Sequence, residues 1–142
     1  MRRDVTEIRQ FYTTALGRTA ARLIDARLKD AWGPLTGQDV LGLGYAAPWL
    51  DEMRDARRAV CAMPYGQGAE AWPRAGRCRT TLVEDETLPF ATGVFDRILA
   101  VHAIEEANDP LALVRELGRV LKPSGRMVLA VAGRGGLWAR SE

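Results

Sequence analysis

Histidine is almost absent from this chain. Its 142 residues include one, His102, and two cysteines, Cys61 and Cys78. A structural zinc site takes four ligands from Cys, His and carboxylates. No CxxC pair and no ligand cluster is in place here, so no metal is expected. Uncharged apolar runs are also short, well below the ~20 residues of a membrane span. Neither sign of charge dominates: 20 Lys and Arg face 18 Asp and Glu, a net charge of +2, with no basic block. That balance argues against nucleic acid as a partner. The opening Met1-Arg2-Arg3-Asp4 runs into a charged segment rather than an apolar one, which predicts no signal peptide. Two cysteines in such a chain read as free thiols of a cytoplasmic protein. What remains is an ordinary globular composition, 47% hydrophobic and 27% charged, of a length suited to one domain.

Periodicity divides the chain near residue 38. Before it, Val5, Ile8, Phe11 and Tyr12 keep helical spacing. After Gly17 the pattern resumes with Ala20, Leu23, Ile24, Leu28, Ala31 and Trp32, until Gly33-Pro34 stops it. Residues 1–38 therefore read as a helical segment and 39–142 as an α/β core, together one compact unit. The core holds five short apolar runs: Asp39 to Leu43, Ala59 to Met63, Arg79 to Val83, Phe95 to Val101 and Arg126 to Ala132. Near-continuous Val, Leu and Ile are expected of strands covered on both faces of a parallel sheet. Helices are predicted over Pro48 to Arg58 and over Asn108 to Leu121. In the second, Asp109 caps, Pro110 opens the first turn, and Leu111, Val114, Leu117 and Leu121 form the buried stripe. Lys122-Pro123-Ser124-Gly125 reads as its stop. Alternating strands and helices predict a Rossmann-like doubly wound parallel sheet of order 3-2-1-4-5. Such sheets bind ligands beyond the carboxyl ends of their strands.

After the first strand comes Gly42-Leu43-Gly44-Tyr45-Ala46-Ala47-Pro48. Small residues there let the backbone turn and let a ligand approach the next helix. Read as GxGxxA, the segment matches a dinucleotide fingerprint. An NAD(P)-dependent oxidoreductase also needs an acid at the end of the second strand, and Ala62-Met63-Pro64 supplies none.

The second half carries an ordered set of motifs: Leu88-Pro89-Phe90, then Gly93-Val94-Phe95-Asp96, then Arg115-Glu116-Leu117 and Arg119-Val120-Leu121-Lys122-Pro123-Ser124-Gly125. This set resembles the class I S-adenosylmethionine-dependent methyltransferases, in the branch that includes many small-molecule methyltransferases. The resemblance covers roughly Asp39 to Ala132. It implies a methyl transfer from S-adenosylmethionine to a small-molecule acceptor. It also implies a sheet normally ordered 3-2-1-4-5-7-6, whose last two strands this chain is expected to lack. The bare fifth strand, apolar and free of proline after Arg126, then predicts either self-association through its edge or poor solubility.

The same resemblance points to site residues. Gly42, Gly44, Tyr45 and Ala46 occupy the family's glycine-rich cofactor loop, with Gly42 where an acid is usual. Met63 stands where the family places its ribose-binding acid. Glu84 or Asp85, after the third strand, matches an acid that meets the adenine amino group; a solvated acidic turn is the equal alternative. His102 ends the fourth strand, a position that lines the methyl-transfer site, and its imidazole is a candidate base for an acceptor hydroxyl or amine. Tyr45, Trp49 and Trp72 are candidate walls of an adenosine pocket or covers for apolar surface. The departures at Gly42, Pro48 and Met63 keep open a second reading, a non-catalytic binding or structural module on the same fold.

Overall fold

A computed structural model of the protein describes residues 4–68, 80–84, 86–132 and 139–141. Two helices come first, α1 (Val5–Phe11) and α2 (Ala15–Trp32), followed by β1 (Asp39–Gly44), α3 (Ala47–Leu50), β2 (Arg58–Pro64), β3 (Thr80–Val83), β4 (Phe95–Val101), α4 (Pro110–Val120), β5 (Leu121–Ala132) and β6 (Ala139–Ser141). Five strands run parallel in the order β3-β2-β1-β4-β5, as the sequence predicts. β1 is central and buried at every residue, which accounts for its apolar run after Asp39. β6 is antiparallel to β5 and pairs with Ala130–Ala132, so the carboxyl end of β5 is not the bare edge expected from the sequence.

Side chains of the sheet alternate between two cores. On one face Val40, Cys61, Met63, Leu99, Val101 and Val128 pack with α1, α2 and α3. On the other, Leu41, Leu43, Ala62, Ile98 and Ala100 pack with α4. Helices on both sides of a parallel sheet are the doubly wound architecture.

Several local expectations need correction. α2 begins at Ala15, and Gly17 lies inside it because a Cβ there would meet the Phe11 carbonyl oxygen at 2.1 Å. Leu23 is 55% exposed; Ala20, Ile24, Leu28 and Trp32 form the actual stripe. The predicted helix from Pro48 closes after one turn, at Leu50. In α4 the buried residues are Leu113, Leu117 and Val120, while Leu111 is 58% exposed. The i, i+4, i+7 spacing of that trio gives a stripe as regular as the expected one, rotated about the axis to meet the sheet. Lys122 to Gly125 is no separate turn. It is an irregularity within β5, between the pairs Phe95↔Leu121 and Arg97↔Arg126. Cys61 is buried in the core that faces α1, α2 and α3. Cys78, Trp72 and Asp85 lie outside the described residues.

The motif residues brace the fold at the end of the sheet away from the strands' carboxyl termini. Asp96 accepts a hydrogen bond from the backbone N–H of Asp39 (2.8 Å) and pairs with Lys122 Nζ (3.2 Å). Glu116 accepts from the Leu88 N–H (3.0 Å) and pairs with Arg119, whose guanidinium also donates to the Leu88 carbonyl (3.1 Å). Phe90 packs edge-on to Phe95 with centroids 5.1 Å apart. Beside Asp96, the buried Asp39 carboxylate takes paired hydrogen bonds from Arg57 and Arg58, which hold it well below the usual carboxylate range.

Candidate functional site

The carboxyl ends of β1, β2 and β4 are covered by α1. Asp4 caps this helix by accepting from the Thr6 N–H (2.8 Å), and the Val5 N–H donates to the Gln67 carbonyl (2.9 Å), just past β2. At the other end of α1, Tyr12 reaches β1 and β4. Its ring stacks on Tyr45 with centroids 5.3 Å apart and 5° between planes, and Trp49 stands edge-on to both. Trp49 is held in turn by its indole N–H, which donates to the Ala21 carbonyl of α2 (3.2 Å).

His102 sits beneath Tyr12. It is 4% exposed and, among the described residues, it is the one non-glycine residue with positive φ, at 52°. Histidine tolerates that region better than most residues, yet the conformation is costly and such outliers cluster at functional sites. The backbone N–H donates to the Ala130 carbonyl of β5 (3.0 Å) and the carbonyl accepts from Gln67 Nε2 (3.3 Å). Both ring nitrogens are engaged: Nδ1 lies 3.2 Å from Glu105 Oε2, and Nε2 lies 2.7 Å from the Tyr12 hydroxyl.

The chemistry of Glu105 fixes those roles. Burial raises its carboxyl, but hydrogen bonds from His102 and from the Ala132 N–H (2.6 Å) outweigh this and hold it below the ordinary value. An ionised carboxylate only accepts, so Nδ1 carries a proton, and in the tautomer this selects Nε2 is the acceptor for the Tyr12 hydroxyl. His102 thus joins a chain of three, Tyr12–His102–Glu105, assembled from α1, the end of β4 and the loop behind it.

The other expected residues are placed unevenly. Gly44 has φ of 80°, and a Cβ on it would meet the Val101 carbonyl oxygen at 2.3 Å; on Gly42 it would meet Leu50 Cδ1 at 2.5 Å. Packing alone therefore favours glycine at both positions, at Gly44 against backbone and at Gly42 against Leu50 and Ala46. Tyr45 and Ala46 turn the chain away from β1, with the Tyr45 N–H donating to the Val101 carbonyl (2.9 Å). Met63 is buried in the core shared with α1 and α2. Glu84 is exposed and bridged to Thr87, close to the solvated-turn alternative. Sequence reasoning missed Gln67, 1% exposed, whose Oε1 is buried without a partner among the described residues. Glu105 Oε1 is likewise buried without a partner among the described residues. Beside this cluster an open cleft of about 410 Å³ is lined by Tyr12, Tyr45, Trp49, Arg9, Arg22 and Glu52, among others.

A methyltransferase domain model matches residues 39–129. The chain belongs to the methyltransferase domain family. Over 95 residues it is 32% identical to methyltransferase GfsG of Streptomyces halstedii, an alignment that takes 67% of this chain and 30% of that protein. A second relative, the uncharacterized protein YafE of Escherichia coli, is 39% identical over 44 residues, 31% of this chain and 21% of YafE. This methyltransferase-family chain therefore spans about a third or less of the relatives it matches. Among solved structures, a SAM-dependent methyltransferase of Thermotoga maritima superimposes with a TM-score of 0.65 at 20% identity, covering 94% of this chain and 60% of that one. The cyclase SpnF does so with a TM-score of 0.62 at 22% identity, covering 78% and 44%. At such identities these two likenesses show the fold, and the second is named for a different reaction.

Proposed function

We propose that the chain is the cofactor-binding core of an S-adenosylmethionine-dependent methyltransferase acting on a small-molecule acceptor. The observation that carries this is the pair of buried acceptors, Gln67 Oε1 and Glu105 Oε1, without a partner among the described residues, at the ligand-binding end of a methyltransferase-family sheet. A buried acceptor without a donor is costly. S-adenosylmethionine offers the complementary donors in its ribose hydroxyls and its ammonium group, so the residues present fit the cofactor. Gln67 takes over the hydroxyl-binding role that Met63 cannot fill, and the Gly44-Tyr45-Ala46 turn bounds the site. When bound, the cofactor supplies an activated methyl group. The protein's share is orientation, exclusion of water by α1, and management of the acceptor's proton by His102. Among the described residues no helix is long and apolar enough to cross a membrane, and we place the protein in the cytoplasm.

Titration calorimetry of the full chain with S-adenosylmethionine, S-adenosylhomocysteine and NAD tests the reading. Binding of the two sulfur compounds and none of NAD is expected. Failure of both would favour the second reading, a non-catalytic module, which the burial of Met63 supports.

A further inference from the structure

The methyl acceptor of the proposed reaction must surrender a proton, and two features of the structure bear on its chemistry. The first is the chain Tyr12–His102–Glu105, with contacts of 2.7 and 3.2 Å. The second is the cleft that Tyr12 shares with Tyr45, Trp49 and Pro48. Its volume, about 410 Å³, is in the range of small-molecule sites, and its rings, set beside Arg9, Arg22, Asp25 and Glu52, favour a planar guest that carries polar substituents. Since Nε2 of His102 is taken by the Tyr12 hydroxyl, the imidazole does not itself face the acceptor. Tyr12 is the member of the chain that lines the cleft.

We propose that this site takes a small planar aromatic or enolic hydroxyl compound and removes its proton through Tyr12, a reading that rests on the methyltransferase function above. The acceptor O–H bond breaks and its proton passes to the Tyr12 oxygen. Tyr12's own proton crosses to Nε2 of His102. The imidazolium so formed is held through Nδ1–H by the Glu105 carboxylate, which stays ionised. The acceptor oxygen keeps the O–H electron pair and forms the new bond to the methyl carbon, while the sulfur–carbon pair remains on sulfur. Tyr12 is the catalytic residue; His102 and Glu105 position and charge it. The groups that surround His102 and bear on its protonation are Tyr12 at the end of α1 and Glu105 from the loop after β4, with Arg9, Arg22, Asp25 and Glu52 farther out along the cleft.

The test uses the full chain with S-adenosylhomocysteine present and 4-nitrophenol as the probe, because its absorbance reports ionisation directly. Saturable binding is expected, with the bound probe ionising at lower pH than in buffer. Tyr12→Phe, which keeps the ring stacked on Tyr45, should return the ionisation midpoint to the free value, and so should His102→Asn, a residue that accepts positive φ. As the chain has one histidine, its ¹⁵N spectrum gives a second, unambiguous readout. The proton should sit on Nδ1, and the Nε2 resonance should move in Tyr12→Phe. A probe that does not bind, a midpoint indifferent to Tyr12→Phe, or a proton on Nε2 would overturn the proposal. Loss of S-adenosylhomocysteine binding by the unmodified chain would instead overturn the methyltransferase reading.

Discussion

Replacing Gly44 by alanine separates two accounts of the glycine-rich loop. If the glycine is there to admit a ligand, the variant folds normally and loses affinity. The structure argues otherwise. Gly44 has φ of 80°, a conformation that costs an L-residue roughly 1–2 kcal/mol. The added Cβ would also lie 2.3 Å from the Val101 carbonyl oxygen. Relieving that contact pushes β1 away from β4 at the pair Gly44↔Val101 and strains the neighbouring Tyr45 N–H to Val101 bond of 2.9 Å, a further loss of about 1 kcal/mol. The sum is about 2–3 kcal/mol, or roughly 6–10 °C in melting temperature for a chain of this size. Differential scanning calorimetry on the unliganded variant measures it. A variant that melts within a degree of the parent, yet no longer binds S-adenosylhomocysteine, would refute the packing argument and restore the loop as a ligand cradle.

Other outcomes follow from the same geometry. Gln67→Leu should weaken S-adenosylhomocysteine binding by about tenfold or more in calorimetry, the loss expected of a buried hydrogen bond, because the orphaned Oε1 is removed. Asp39→Asn should lower the melting temperature by roughly 3–6 °C at neutral pH. Asp39's folded-state carboxyl is held below its unfolded value, so its contribution is present above about pH 4 and fades as the pH falls below that, toward the folded value; melts of parent and variant should converge in acid. Removing residues 139–142 strips β6 from Ala130–Ala132 and should raise self-association, read as concentration-dependent light scattering.

The sheet was legible because its strands are short, apolar and bounded by turn residues. β4 is placed at Phe95–Val101 as expected; β1 is one residue longer at its end, β2 one residue longer at each end, and β3 one residue shorter at its start. The ordered motifs were legible for a related reason. Asp96, Lys122, Glu116 and Arg119 hold strand entries and one loop together, and that bracing ties residue type to spacing. A fold's scaffold can thus be read from its chain. The stripe of α4 was misjudged because Leu111 and Leu113 offer equally regular apolar faces, and only the sheet decides between them.

The candidate site was legible only in part, and the reason is distance along the chain. His102 could be picked out by type and by its place at a strand end. Nothing local to it names Tyr12, which lies 90 residues earlier and arrives through the packing of α1 across three strands. Gln67 falls in a crossover rich in glycine and proline, where no periodicity marks one residue as buried. The consequence is a division of labour along the sheet axis. The motifs that identify the family brace one end, where the buried Asp39 carboxylate also sits, while the other end holds His102 at positive φ, an ionised Glu105 and, among the described residues, two buried acceptors without a partner. Membership of the family therefore follows from residues that touch no acceptor. α1, which carries Tyr12 at its end, lies outside the stretch of chain matched by the family model. An exchange of α1 residues should alter acceptor choice while leaving the bracing at Asp96 and Glu116 unchanged.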